Sequence, residues 1–176
     1  MNIIKTISDK NLFRPFLADK NGSLSSWSNW GVFMRCQYGL PLNPKHADLI
    51  EQCTGRSINS MPKSGFQQTL VLTGRRSGKS RISSTIAGHE AIFSGKEKYL
   101  AKGETGYVCV LAPTKLQAVI CKNYLSALFH STPMLEAEIK SEIRDGFDLN
   151  NGVAIRILTG DFRYIRGYTL IACIID

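Results

Sequence analysis

A short loop between residues 74 and 80 holds the residues best suited to chemistry. It consists of Gly74, Arg75, Arg76, Ser77, Gly78, Lys79 and Ser80, and it follows the apolar run Leu70-Val71-Leu72. In such a loop, glycines let backbone N–H groups surround a polyphosphate, the lysine reaches the β- and γ-phosphates, and the serine hydroxyl ligates Mg²⁺. The order of strand, Gly-Lys-Ser loop and helix therefore predicts a phosphate-binding P-loop. The alternative is an ordinary basic turn between a strand and a helix.

The loop departs from the usual P-loop spacing, and its charge is strongly one-sided. The first glycine usually stands where this chain has Thr73, and Gly74 comes one residue later. No Asp or Glu occurs between Gln52 and His89. Four cations crowd around the loop: Arg75, Arg76, Lys79 and Arg81. Because like charges repel, this cluster predicts an anionic ligand, with a solvated basic face as the alternative.

A second motif lies at the end of the sequence, where the apolar run Leu170–Ile175 is followed by Asp176. A buried strand that ends in a carboxylate can hold Mg²⁺ directly or through water, as in the Walker B motif of P-loop proteins. Any strand can end in Asp, so this pattern gains its meaning from the P-loop upstream. We expect Asp176 and Ser80 to hold one Mg²⁺ ion together.

Composition limits the possible classes of protein. The 176 residues fit one domain with or without an appendage, and 43% hydrophobic residues are enough for a sizeable core. The net charge of +8 suits a polyanionic partner such as nucleotide or nucleic acid. No apolar run of about 18 residues exists, so we expect no membrane span. The five cysteines form no Cys-x-x-Cys pair, which favours reduced thiols in the cytoplasm over metal ligands.

Strand and helix patterns alternate from residue 66 onward, which predicts a doubly wound, mostly parallel α/β sheet. Upstream, residues 1–26 are predicted to be a mobile or extended arm, and Asn43-Pro44 to open a helix closed by Gly55. We therefore divide the chain into a small helical, lid-like N-terminal region, 1–65, and a core, 66–176. The predicted core elements are a strand at Gln68–Thr73, a helix at Lys79–Phe93, a strand at Tyr107–Ala112 buried on both faces, a helix from Thr114 to about His130, a helix from Pro133 to about Arg144, a hairpin of 147–149 with 153–158, and a buried strand at Tyr168–Ile175.

Several of these blocks, taken in order, resemble the N-terminal ATPase part of the large terminase subunit, the DNA-packaging motor of tailed phages and prophages. The resemblance covers roughly residues 35–176, and the ordered set is more specific than any single block. The blocks are Glu51-Gln52-Cys53-Thr54-Gly55-Arg56, Phe66-Gln67-Gln68, Thr73 to Ser80 with its shifted glycine, Leu111-Ala112-Pro113-Thr114-Lys115-Leu116-Gln117-Ala118, Phe162 to Tyr168 with its Arg-Gly pair, and the strand ending at Asp176.

The resemblance implies a RecA-like P-loop NTPase fold with ATP and Mg²⁺ as ligands. It implies that Gln67 or Gln68 reads adenine, that backbone amides from Gly74 through Ser77 and Gly78 to Ser80 hold the phosphates, and that Lys79 neutralises them. Arg75 is expected to act on the γ-phosphate, whereas Arg76 is expected either to join it or to face solvent. Arg163 and Arg166 could contact nucleotide, a neighbouring subunit or DNA, or simply brace the hairpin.

The implied partners are double-stranded DNA, a portal protein and a small terminase subunit, with a ring homo-oligomer only on the portal. In this family a Glu follows the Walker B Asp at once as the general base, and a nuclease domain comes later. The sequence stops at Asp176, so we expect nucleotide binding with slow hydrolysis. Two alternatives stay open, a helicase-like P-loop ATPase and a non-catalytic nucleotide-binding remnant.

Overall fold

The structure, a computed structural model, describes residues 1–159 and 165–176. In that part of the chain the α-helices are α1 (Ile3–Ser8), α2 (Arg14–Leu17), α3 (Ser28–Gln37), α4 (Ala47–Thr54), α5 (Lys79–Ile92), α6 (Lys115–Phe129) and α7 (Pro133–Glu136). The strands are β1 (Gly106–Ala112), β2 (Ile139–Ile143), β3 (Gly146–Leu149), β4 (Val153–Thr159) and β5 (Thr169–Ile175). The chain forms two compact units, one of Met1–Leu17 with Arg75–Asp176 and one of Ala18–Gly74, which differ from the predicted division at residue 65.

The first unit is built on a mixed, mostly parallel sheet with the strand order β2-β3-β4-β1-β5. The central strand β1 pairs in parallel with β4 on one side and with β5 on the other. The strands β2, β3 and β4 pair antiparallel, and the predicted hairpin of β3 with β4 is confirmed, with Phe147 opposite Ile155. Its turn ends at Gly152, whose φ of +82° is the left-handed conformation that glycine adopts without strain. The coarse α/β prediction is therefore confirmed.

The two long helices α5 and α6 pack against each other and both contact β1 and β4, so they lie on the same side of the sheet. In β1, Val108 and Val110 share one face of the strand and are completely buried. Close packing of the helices depends on Gly88, because a Cβ there would lie 2.6 Å from Cδ2 of Leu128. On the other face of β1, Cys109 is completely buried and Tyr107 is half-buried. The burial of Val108, Cys109 and Val110 agrees with the prediction of a strand that is buried on both faces. The described residues show the coarse α/β sheet, and the finer doubly wound arrangement stays a prediction.

The strand before Asp176 also differs from its prediction. The strand order places β5 at the edge of the sheet, where Leu170 is 42% and Ile175 is 80% exposed. Apolar composition predicted a buried strand, but composition alone does not tell an edge strand from a central one. The strand itself and its parallel pairing with β1 agree with the sequence pattern.

The first residues of the chain belong to the core of the first unit. Ile3 and Phe13 are completely buried, and the Phe13 ring meets the Phe93 ring edge-on at 5.8 Å. The Arg81 guanidinium lies 4.7 Å from the centre of the Phe16 ring. The expectation of a mobile arm is therefore wrong for residues 3–17, because their apolar side chains are needed to cover α5.

Two further predicted elements are wrong. Residues 68–73 form no strand, and Leu70 and Leu72 are 85% and 87% exposed. Strand propensity mostly reflects packing against neighbouring strands, and no ladder of the described residues includes this segment. The helix predicted from Pro133 to Arg144 ends at Glu136, and the chain continues as β2, which pairs with β3. In β2, the hydrogen bonds of strand pairing outweigh the helix propensity of the residues.

The second unit is helical and has a core of Val32, Cys36 and Ile50. The predicted cap is confirmed, because the Asn43 side chain accepts a hydrogen bond from the Lys45 N–H at 3.0 Å. The predicted helix closes at Gly55, which is left-handed with φ +65°. Within residues 1–159 and 165–176, no helix is long and apolar enough to cross a bilayer.

Candidate functional site

The loop before α5 contains two residues with a left-handed backbone conformation. Gly78 is the N-cap residue of α5 and has φ +81°, while Arg76 has φ +63°. The left-handed region costs a residue with a side chain roughly 1–2 kcal/mol, so Arg76 is held there at a cost. Turns with left-handed residues direct successive N–H groups into one concavity, where an anion can bind. This conformation agrees with the chemistry predicted for Arg75 to Ser80.

The first turn of α5 is positively charged and contains no acidic side chain of its own. Gly78 offers no side chain to cap the helix, and the described first turn contains no acidic residue. The first N–H groups of a helix have no carbonyl partner within the helix, and the helix dipole adds positive potential at the same end. Arg75, Arg76 and Lys79 are all exposed beside this turn. An anion placed here would be stabilised both by these N–H groups and by the cations.

The two predicted metal ligands lie together although they are far apart in sequence. The Ser80 hydroxyl, in the first turn of α5, donates a hydrogen bond to Oδ2 of Asp176 at 2.7 Å. The Asp176 backbone N–H donates to the Leu111 carbonyl at 3.0 Å, which extends the ladder between β5 and β1 by one residue. The parallel strands β1 and β5 thus end next to the start of α5, and this brings hydroxyl and carboxylate together. Both residues are half-buried.

Two side chains that the sequence analysis missed also contact Asp176. The Ser83 hydroxyl faces Oδ1 at 3.5 Å, and the Cys121 thiol donates to Oδ2 at 3.8 Å. Ser83 could have been found, because residues three apart on a helix share a face and Ser80 was already predicted. No sequence pattern pointed to Cys121, because its contact with Asp176 depends on how α6 packs against α5.

The Cys121 thiol is completely buried in α6. The pKa of this thiol is raised to about 11, mainly by burial and in addition by the neighbouring negative charge of Asp176. The thiol therefore keeps its proton at neutral pH and serves as a weak hydrogen-bond donor to the carboxylate.

The donor set at this position suits Mg²⁺. Hydroxyl and carboxylate oxygens are hard ligands, and Mg²⁺ is commonly held by one or two carboxylates together with substrate phosphates. Among the described residues no group of three or more His, Cys, Asp and Glu side chains could hold a metal ion by itself. Ser80 and Asp176 therefore fit an ion that arrives with a phosphate ligand better than they fit a resident structural metal.

Three other predicted site residues belong to the second unit. Gln67 and Gln68 are exposed in the second unit, which also includes Gly74. Arg166 is exposed in the turn before β5, and Arg163 lies outside the described residues. An open polar cavity of about 460 Å³ in the second unit, lined by residues that include Arg35 and Lys45, contains none of the predicted site residues. The chemistry that can be built here therefore rests on residues 75–80 and Asp176.

Comparison with protein-family models, curated proteins and solved structures gave no match for this chain. The likeness to large terminase subunits consequently rests on the ordered motifs. The geometry around Ser80 and Asp176 is the independent ground on which a function can be argued.

Proposed function

We propose that this chain is a P-loop ATPase module that binds Mg-ATP, belonging to a large terminase subunit that moves double-stranded DNA into a capsid. The observation that carries the proposal is the 2.7 Å contact between Ser80 and Asp176, because two motifs far apart in sequence predicted that these residues share a metal ion. The left-handed Arg76 and Gly78 before the uncapped start of α5 support it.

In this proposal each residue has a defined task. The N–H groups at the start of α5 and the ammonium group of Lys79 bind the phosphates. Ser80 and Asp176 hold Mg²⁺, which when bound would neutralise charge on the β- and γ-phosphate oxygens. Arg75, exposed beside the loop, supplies a further positive charge toward the γ-phosphate. Gln67 or Gln68 selects adenine, since an amide offers one donor side and one acceptor to its edge.

The DNA-moving part of the proposal rests on sequence. The net charge of +8 agrees with a polyanionic partner. Duplex DNA, a portal protein and a small terminase subunit are the partners that the motif resemblance suggests, and the cytoplasm of a bacterial host is the compartment.

Nucleotide binding is tested by calorimetry with a non-hydrolysable ATP analogue and Mg²⁺. Replacing Lys79 by Ala removes a charge-assisted contact, which is worth roughly 1.5–3 kcal/mol and thus about a tenfold to hundredfold loss of affinity. Lys98→Ala is the matched control, because it removes one exposed lysine charge outside the loop. Equal affinity in the wild type and in a folded Lys79→Ala protein would contradict the proposal.

Turnover distinguishes the three functions left open by the sequence. Phosphate release that duplex DNA stimulates favours the terminase, and stimulation by single strands alone favours the helicase-like ATPase. Tight Mg-ATP binding with no phosphate release under either condition favours the non-catalytic module.

A further inference from the structure

The Asp176 carboxylate is contacted from two helices by side chains other than Ser80. Ser83, one turn along α5, faces Oδ1 at 3.5 Å. Cys121 on α6 faces Oδ2 at 3.8 Å. Each carboxylate oxygen therefore has a donor that is independent of Ser80, and the two donors come from different elements.

These two contacts matter most when a metal ion is present. In the structure, the Ser80 hydroxyl directs its hydrogen at Oδ2 over 2.7 Å. If Ser80 and Asp176 both bound one ion, the Ser80 oxygen and the carboxylate would serve as its ligands, and this hydrogen bond would no longer be available to orient the carboxylate. The terminal torsion of an aspartate is broad and nearly two-fold, which leaves the carboxylate free to turn unless other groups hold it. Ser83 and Cys121 are placed to do so.

Cys121 is well suited to this task because it cannot move easily. Its side chain is completely buried, and α6 packs along α5, which carries Ser80 and Ser83. A thiol is a weak donor, so it orients an oxygen while withdrawing little of the electron density that a cation needs. A hydroxyl of Ser83 on the other oxygen fixes the plane of the carboxylate.

We propose that Cys121 and Ser83 are positioning residues, which hold the Asp176 carboxylate in the orientation that binds Mg²⁺ beside the nucleotide. The inference rests on the proposed function, because it requires that Ser80 and Asp176 take up Mg²⁺ with a nucleotide. Groups that hydrogen-bond a metal ligand typically contribute a factor of roughly 10–100 in metal affinity. Since both contacts here are long, we expect about tenfold for each.

The test measures how much Mg²⁺ is needed for nucleotide binding by the full chain. A fluorescent ATP analogue at fixed concentration is titrated with MgCl₂, and its affinity without metal is measured separately in EDTA. Cys121→Ala is expected to need about tenfold more Mg²⁺ for half-saturation, while its metal-free nucleotide affinity stays unchanged. Cys121→Ser keeps a donor and is expected to restore the requirement to near the wild-type concentration. Cys109→Ala, another buried cysteine, is the matched control.

The second pair of variants guards against a packing effect at Cys121. Ser83→Ala is expected to raise the Mg²⁺ requirement in the same way, since Ser83 is only half-buried and its loss leaves no large cavity. Ser94→Ala is its control, because the Ser94 hydroxyl donates instead to the Glu90 carbonyl at 2.6 Å. Circular dichroism checks that each variant is folded.

The outcomes separate the inference from the function on which it rests. If the wild type shows no Mg²⁺-dependent nucleotide binding, the proposed function fails and this inference fails with it. If the wild type binds Mg-ATP but folded Cys121→Ala and Ser83→Ala need no more Mg²⁺ than their controls, only the inference is overturned. Loss of metal-free binding in either variant also overturns it, because that result indicates a general structural role.

Discussion

His89 should make this protein less stable in mild acid. It lies on α5 with only 3% of its surface exposed, and its Nδ1 is 3.3 Å from the Thr6 hydroxyl. The pKa of His89 is lowered to about 4, mainly by burial; the negative charge of Glu90 opposes this shift, whereas the positive charges of the N-terminus and Lys96 add to it. His89 is therefore neutral in the folded protein at neutral pH.

The size of the effect follows from linkage between protonation and folding. In the unfolded chain His89 takes up a proton below its ordinary pKa of 6.5, whereas the folded protein resists protonation until the pH approaches about 4. Its neutral form therefore contributes stability that is complete above pH 6.5 and is lost as the pH falls toward 4. Between about pH 7.5 and about pH 5 the free energy of unfolding should fall by about 2 kcal/mol from this residue.

Urea unfolding of the wild type and of His89→Gln over this pH range measures the effect. Glutamine cannot gain a proton, so the difference in unfolding free energy between the two proteins should shrink by about 2 kcal/mol as the pH falls to about 5. Subtracting the curves removes the contributions of other titrating groups, such as Glu142 and Asp148, whose pKa values are lowered by Lys122 and by Arg156 respectively. Parallel curves for the two proteins would refute the reasoning, because His89 would then protonate in the folded state at no cost.

Two further predictions concern stability. The hydrogen bond with Glu142 raises the pKa of His130, so His130 should stabilise the fold below pH 6.5 and lose that contribution as the pH rises through its folded pKa. Because His130 is exposed, His130→Gln should cost at most about 0.5 kcal/mol near pH 6 and nothing near pH 9, as measured by urea unfolding. Gly88→Ala should destabilise by about 1 kcal/mol, because overpacking against Leu128 outweighs the gain in helix propensity. Gly31→Ala, at a helix position where a Cβ meets nothing within 4 Å, should instead stabilise by roughly 0.5–1 kcal/mol, and thermal unfolding of both variants checks the opposite signs.

The elements predicted well from sequence are those whose cause is local. Thr114 accepts a hydrogen bond from the Gln117 N–H at 3.2 Å and opens α6, as the capping pattern predicted. The apolar run of β1 and the Asn-Gly turn before β4 likewise carry their own structural information. In each case residues within a few positions of one another determine the outcome.

The errors arise where structure depends on distant partners. Residues 68–73 have strand-like composition, yet strand formation needs a neighbouring strand to accept the backbone hydrogen bonds. Residues 139–143 have no strong strand pattern, but β3 pairs with them. The same reasoning explains the site. Ser80 and Asp176 were predictable because each ends a recognisable motif, whereas Cys121 reaches Asp176 only through the packing of α6 on α5.

The hydroxyl groups of α5 fall into two kinds, those that donate to a carbonyl of the same helix and those that face Asp176. Ser84 and Thr85 donate to the carbonyls of Ser80 and Arg81, four residues earlier at 2.9 Å each, so these hydroxyls satisfy themselves within the helix and can stay buried. Ser80 instead directs its hydroxyl out of the helix to Asp176, and Ser83 faces the same carboxylate. Serine is a poorer helix former than alanine by about half a kcal/mol, so two outward-donating serines near the start of α5 weaken the helix unless the carboxylate compensates. A helix that served only to cover the sheet would gain nothing from them, so their convergence on Asp176 agrees with the proposal that this carboxylate is held in place for a ligand.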